Sequence, residues 1–78
     1  MLAMTNCSLL KEKIVESGIS ITFLAEKCNI SRDYFYKKLN GDVDFKQSEI
    51  VAIQDVLHLS QSERNNIFFA KKVDYQSS

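Results

Sequence analysis

The sequence contains no proline, no tryptophan and only two glycines among its 78 residues. Few positions can therefore interrupt a helix, because proline and glycine are the strongest helix breakers. Apolar runs are also short, with none longer than four residues, whereas a transmembrane helix needs roughly 20 apolar residues and a signal peptide about seven. We expect a soluble, cytoplasmic, all-α protein with no membrane partner.

Residues that could act in catalysis or bind a metal are equally scarce. His58 is the only histidine, and the two cysteines, Cys7 and Cys28, lie too far apart in sequence to suggest a zinc frame or a dense disulfide framework. Asp42 and Asp44 flank a valine but lack further oxygen ligands for a cation. The sequence has no glycine-rich phosphate loop and no catalytic serine–histidine–aspartate set. We expect no catalytic residues, no metal, no cofactor and no small-molecule substrate.

Helical spacing of apolar residues, interrupted by capping residues, predicts five helices. They run from Leu9 to Ser17, from Ser20 to Asn29, from Arg32 to Leu39, from about Gln47 to Leu57, and from Ser60 to Ala70. A length of 78 residues allows one domain, which we place at residues 8–72 between an N-terminal tail (1–7) and a C-terminal tail (73–78). The apolar stripes assign nine residues to the core: Leu24, Ala25, Cys28, Ile30, Phe35, Leu39, Ile50, Ile53 and Leu57.

The junction between the second and third predicted helices has the pattern of a helix-turn-helix. Ala25 is small enough for two helices to cross closely, and Asn29 tolerates the left-handed conformation that ends a helix. Ile30 supplies a buried aliphatic side chain, and Ser31 can cap the helix that follows. A turn this tight sets the two helices steeply across each other, so that the second can project into a groove.

Several short segments carry a resemblance to a known family: Leu24-Ala25, Ile30-Ser31, Lys38-Leu39-Asn40-Gly41, Ser48-Glu49-Ile50 and Ile67-Phe68-Phe69-Ala70. From about Leu9 to Ala70 the chain resembles the lambda-repressor/Cro (XRE-type) DNA-binding domains, especially small Cro-like or repressor-like proteins of phages and prophages in Gram-positive bacteria. Two positions depart from the family pattern. Ile21 replaces a glutamine that helps to hold the DNA backbone, and Asn29 replaces the usual turn glycine.

The resemblance implies a five-helix lambda-repressor-like domain whose helix-turn-helix is formed by helices 2 and 3. It also implies a sequence-specific regulator of transcription that occupies a double-stranded DNA operator, as a homodimer at least on DNA. The net charge of the chain is zero, but basic and acidic residues are concentrated in different segments. From Lys27 to Lys38 four basic residues face one acid, whereas from Asp42 to Asp55 four acids face one basic residue. A basic third helix is the expected electrostatic footprint of DNA binding.

Site residues follow from the resemblance. The expected base contacts are Arg32, Asp33, Tyr36 and Lys37; the expected phosphate contacts are Thr22, Ser31, Lys38, Asn40 and Lys46; the expected dimer interface is Phe68 and Phe69. Simpler interpretations stay open beside these: Arg32 and Asp33 as ordinary charges at a helix start, Ser31 as a cap alone, and the two phenylalanines as core.

A protein-interaction module on the same fold, such as an antirepressor, antitoxin or adaptor, is the alternative function. In that case Tyr34 and Tyr36 would contact protein. Phe23 stands where the family more often has a polar residue, which favours this alternative slightly.

Overall fold

The computed structural model describes residues 5–69, and all regular structure in this range is helical. The five helices are α1 (Cys7–Ser17), α2 (Ile21–Cys28), α3 (Arg32–Leu39), α4 (Gln47–Leu57) and α5 (Gln61–Phe68). The all-α prediction is confirmed for the described residues. Predictions about residues 1–4 and Ala70, the domain end at residue 72 and the C-terminal tail lie outside the described range.

The predicted capping residues explain where the helices begin and end. The hydroxyl oxygens of Ser20, Ser31 and Ser60 each accept a hydrogen bond from the backbone N–H three residues later, at 3.1 Å. Gly18 ends α1 with φ of 74°, in the left-handed region that glycine adopts without steric cost. Local sequence signals therefore set most of the helix boundaries.

The structure corrects the predicted first residue of α1. Asn6 Oδ1 accepts a hydrogen bond from the backbone N–H of Leu9 at 3.1 Å, so that Asn6 is the N-cap and the helix begins at Cys7. Cys7 was expected in the N-terminal tail and the helix was expected to begin at Leu9. Asparagine is among the best N-cap residues, and it moves the boundary two residues towards the N-terminus.

The hydrophobic core lies where the five helices pack together. α2 packs against both α3 and α4, while α1 contacts α3, α4 and α5. Seven of the nine predicted core residues are buried, and the other two, Ile30 and Leu57, are half-buried at its edge. The core also includes Leu10, Ile14, Phe45, Leu59, Ile67 and Phe68.

Phe45, in the loop between α3 and α4, connects elements that are distant in sequence. Its ring centroid lies 5.8 Å from that of Phe35 and 5.6 Å from that of Phe68, with edge-to-face geometry in both pairs. Phe68 is consequently only 2% exposed. The prediction that Phe68 forms a dimer interface is wrong, because its side chain fills the core. Phe69 is half-buried, and its expected dimer contact stays a prediction.

Candidate nucleic-acid interface

Hydrogen bonds within a few residues hold the turn between α2 and α3. Asn29 has φ of 64° and ψ of 38°, the left-handed conformation expected of it. The N–H of Ile30 donates to the carbonyl oxygen of Ala25 at 3.0 Å, which closes the end of α2. The hydroxyl of Ser31 accepts from the N–H of Tyr34 and starts α3. The connection is three residues long, so α2 fixes the position at which α3 begins.

α3 has one buried side and one exposed side. Phe35 and Leu39 are 0% and 3% exposed and anchor the helix in the core. The four predicted base contacts, Arg32, Asp33, Tyr36 and Lys37, are all exposed. The fold thus brings these four side chains together on the outer surface of a single helix of eight residues.

Arg32 and Tyr36 contact each other on this surface. The guanidinium carbon of Arg32 lies over the ring of Tyr36, 5.5 Å from its centroid. The two residues are four positions apart, the spacing that places helical side chains one above the other. A guanidinium over an aromatic face is attracted by the negative charge of the ring face.

An apolar groove lies beside Tyr36, which we call the α1–α3 groove. Its volume is about 330 Å³, and its lining residues are Lys11, Ile14, Val15, Ile21, Tyr36, Leu39 and Asn40. Val15 is 79% exposed, an unusual position for a β-branched apolar side chain. The groove does not follow from the sequence pattern, because Val15 on α1 and Ile21 on α2 line the same cavity only once the helices are packed.

Four of the five predicted phosphate contacts lie on the surface, and the fifth, Lys38, does not. Thr22, Ser31, Asn40 and Lys46 are exposed. Asn40 lines the α1–α3 groove with Ile21, so the start of α2 lies close to the end of α3. Lys46 lies at the start of α4, beyond the loop that follows α3.

The structure places Lys38 in the interior and not on the surface expected of a phosphate contact. Its side chain is 1% exposed, and Nζ lies 2.9 Å from Oε1 of Glu49, which is itself 3% exposed. Nζ also donates to the carbonyl oxygen of Asp44 at 2.8 Å. The ammonium is thus enclosed by the protein, and the predicted contact between Lys38 and phosphate is wrong.

Aromatic rings complete the surroundings of Lys38. Nζ lies 4.8 Å from the ring centroid of Tyr34 and 5.8 Å from that of Phe45. Glu49 Oε1 also accepts a hydrogen bond from the backbone N–H of Lys46 at 2.8 Å. The pair therefore joins the end of α3 to the start of α4. The only sequence signal was the position of Glu49 three residues after Lys46, which indicates a helix start and not a buried ion pair.

Cys28 lies next to the pair of Lys38 and Glu49, and its thiol is unreactive. Burial, together with the negative charge of Glu49, raises the pKa of its thiol from the usual 9.0 to about 11, although Lys38 acts in the opposite direction. Its Sγ donates weakly to the backbone oxygen of Glu49 at 3.8 Å. A thiol with this pKa stays protonated at neutral pH and is a poor nucleophile. Among residues 5–69, no group of three His, Cys, Asp or Glu side chains is arranged to hold a metal ion.

The exposed charge near α3 is less basic than the sequence suggested. With Lys38 paired internally, the exposed basic side chains from 27 to 38 are Lys27, Arg32 and Lys37, against one exposed acid, Asp33. Exposed acids follow in the loop after α3, at Asp42 and Asp44. The surface combines a small basic helix face with planar and aromatic groups, an arrangement suited to base edges and phosphates.

No helix in the described part of the chain is both long enough and apolar enough to cross a membrane. Comparison with known protein families, curated proteins and solved structures finds no significant match to this chain.

Proposed function

We propose that this chain is a sequence-specific, double-stranded-DNA-binding regulator of transcription, with α2 and α3 forming a helix-turn-helix in a lambda-repressor-like domain. The observation that carries the proposal is the exposed face of α3, which presents Arg32, Asp33, Tyr36 and Lys37 together while Phe35 and Leu39 anchor the opposite face. Regulation is steric in this proposal: the bound protein occupies an operator, and it needs neither catalysis nor a cofactor.

In the proposed complex α3 lies in the major groove, which is about 12 Å wide and admits a helix. The Arg32 guanidinium donates to the two acceptors of a guanine, and the Asp33 carboxylate accepts from a cytosine amine. Lys37 contacts a base or a phosphate. Each side chain is exposed on the same helix, so all can act without rearrangement of the core.

Phosphate contacts would flank the base contacts. Thr22 lies in the first turn of α2, where backbone N–H groups carry partial positive charge that favours an anion. Ser31, Asn40 and Lys46 are the other exposed candidates. A homodimer on DNA would place two α3 helices about one helical turn apart on a near-symmetric operator, with Phe69 as the proposed dimer contact.

The proposal is tested by fluorescence anisotropy with a pool of random duplex DNA, titrated from about 50 to 200 mM salt. Phosphate contacts predict affinity that falls steeply with salt, each contact adding about 0.9 to the log–log slope. The variant Arg32→Gln with Lys37→Gln should bind much more weakly. The matched control, Gln61→Glu with Ser62→Glu, changes net charge equally at exposed positions of α5 and should bind normally.

Absence of binding by the wild-type chain at about 50 mM salt would contradict the proposal, because phosphate contacts are strongest at low salt. Equal loss of binding in the α3 variant and in the α5 control would also contradict it, since net charge and not the face of α3 would then explain the loss.

Exposed apolar side chains favour one alternative, a protein-interaction module such as an antirepressor, antitoxin or adaptor. Val15 is 79% exposed in the α1–α3 groove, and Phe23 on α2 is 42% exposed. The same α3 variant separates the two functions, because loss of Arg32 and Lys37 should abolish DNA binding while apolar contacts made by Val15 or by Phe23 would still bind protein.

A further inference from the structure

Tyr36 lies between the α1–α3 groove and Arg32. Its ring lines the α1–α3 groove with Ile21 and Leu39, and it receives the Arg32 guanidinium 5.5 Å from its centroid. Tyr36 is 39% exposed, so neighbouring side chains cover part of it and its remainder faces solvent. The ring therefore lies on the proposed DNA-contacting face, in contact with Arg32.

The contact between Arg32 and Tyr36 leaves the hydrogen-bond donors of Arg32 available. A cation–π contact does not occupy hydrogen-bond donors, and the five N–H donors of a guanidinium lie in its plane. A carboxylate partner would instead engage those donors. Within residues 5–69 the ion pairs are Lys13–Glu63 and Lys38–Glu49, and neither involves Arg32.

We propose that Tyr36 is a positioning residue that holds the Arg32 guanidinium ready to read a guanine in the major groove. The inference rests on the proposed function and deepens it, because it assigns Tyr36 a role in guanine recognition that acts through Arg32. An arginine side chain loses rotamer freedom when it binds. Holding it beforehand reduces that loss and strengthens binding to the matching base.

The role differs from the base contact expected of Tyr36 from sequence. Because the Arg32 guanidinium lies over the ring, Tyr36 contributes through its aromatic face. The test is therefore the response of guanine preference to changes of the ring, with Tyr36→Phe as the conservative variant and Tyr36→Leu as a variant that keeps an apolar side chain beside the groove without an aromatic face.

The experiment selects binding sites from a pool of random duplex DNA for the wild-type chain, Tyr36→Phe, Tyr36→Leu and Arg32→Ala. Affinity for the enriched duplex, and for copies with one guanine replaced, is then measured by anisotropy. We expect Arg32→Ala to abolish preference for guanine at one position of each half-site. Tyr36→Leu should weaken that same preference about two- to five-fold, the range of an exposed cation–π contact, and Tyr36→Phe should retain it.

A second measurement follows the contact without DNA. Side-chain protons of Arg32 should show an upfield ring-current shift by NMR in the wild type and in Tyr36→Phe, and should lose that shift in Tyr36→Leu. Thermal melting of each variant controls for folding, because a purely structural role would lower the melting temperature without changing preference at one base.

Three results would overturn the inference. In the first, Tyr36→Leu keeps the full guanine preference. In the second, Tyr36→Phe or Tyr36→Leu alters a position different from the one that Arg32→Ala alters, which would make Tyr36 a base contact in its own right. In the third, the wild-type chain binds DNA but Arg32→Ala leaves the selected sequence unchanged. Failure of the wild type to bind any duplex is a separate outcome, which overturns the proposed function and this inference with it.

Discussion

The two connections on either side of α3 are held by different kinds of contact. Before α3, Asn29 to Ser31 form hydrogen bonds to groups no more than five residues away. After α3, short-range hydrogen bonds from the N–H groups of Gly41 and Asp42 also close the helix, but the loop at residues 40–46 is held in addition by Lys38. Its ammonium reaches Glu49 in the next helix and the backbone oxygen of Asp44. The connection before α3 thus has short-range hydrogen bonds, and the connection after it adds a buried ion pair.

The two connections therefore differ in how well they can be predicted from sequence. A capping serine or a left-handed asparagine acts on the backbone beside it, so that its effect can be read from neighbouring residues. The partner of a buried lysine depends on how two helices pack. Lys37 and Lys38 are adjacent and chemically identical, yet the first is exposed and the second is 1% exposed.

The largest effect is expected from Lys38→Ala. Removing one member of a buried ion pair leaves Glu49 as an unpaired buried charge, which costs about 3–5 kcal/mol in the free energy of unfolding. Urea denaturation followed by circular dichroism measures this cost. Lys37→Ala is the matched control and should change stability by no more than about 0.5 kcal/mol, because Lys37 is exposed.

A double variant keeps the comparison testable if Lys38→Ala does not fold. Lys38→Met with Glu49→Leu removes both charges, and apolar replacements of a buried pair are often neutral or stabilising. We expect the double variant to fold and to recover most of the loss. A double variant as unstable as Lys38→Ala would show that something other than charge pairing holds this loop.

At the other end of α3, Asn29→Ala should cost about 1–2 kcal/mol, because alanine keeps the Cβ that clashes with the backbone at a positive φ but lacks the short polar side chain that lets asparagine adopt this conformation. Asn29→Gly removes that clash and should be close to neutral. Thermal melting of the two variants measures the difference. A loss in Asn29→Gly as large as that in Asn29→Ala would instead assign the effect to the asparagine side chain.

Ser31→Ala should cost about 1 kcal/mol by removing the N-cap hydrogen bond to the N–H of Tyr34. Ser48→Ala is the matched control, since Ser48 is an exposed serine in the first turn of α4 but is not its cap. The same urea titration compares the two. Equal losses would mean that the Ser31 hydroxyl contributes nothing through capping.

The fold was largely predictable from sequence because its boundaries are local. Asn29 and Ser31 act on their own backbone, and the end of α2 and the start of α3 follow from them. Other features required the packed structure. Phe45, in a loop without periodicity, enters the core between two rings, and His58 ends α4 with φ of 56° although no glycine or asparagine marks that end.

The candidate site was predictable to the same extent and for the same reason. Positions on one helix follow from helical spacing, so the exposed side of α3 with Arg32 and Lys37 was placed correctly. Whether a side chain on that helix meets another element does not follow from spacing. Lys38 and the α1–α3 groove both depend on contacts between helices, and sequence reasoning missed both.

The smallest effect is expected at a second long-range ion pair, which is exposed to solvent. Lys13 Nζ lies 3.0 Å from Oε2 of Glu63, and their side chains are 28% and 39% exposed. The pKa of Glu63 is lowered from its usual 4.5, first by the hydrogen bond from the backbone N–H of Ser60 and then by Lys13. Its ionised form is therefore the one that stabilises the fold.

A lowered carboxylate pKa contributes stability above the usual pKa of 4.5, and that contribution is lost as the pH falls through the lowered value. Glu63→Gln should therefore melt slightly below the wild type at pH 7, and the two melting curves should converge as the pH falls below 4.5. Glu26→Gln, at an exposed carboxylate of α2, is the control. A gap that persists unchanged at pH 3 would mean that the effect of the substitution does not depend on the charge of Glu63. Within residues 5–69, the buried pair of Lys38 and Glu49 would then be the long-range charge pair that matters for stability.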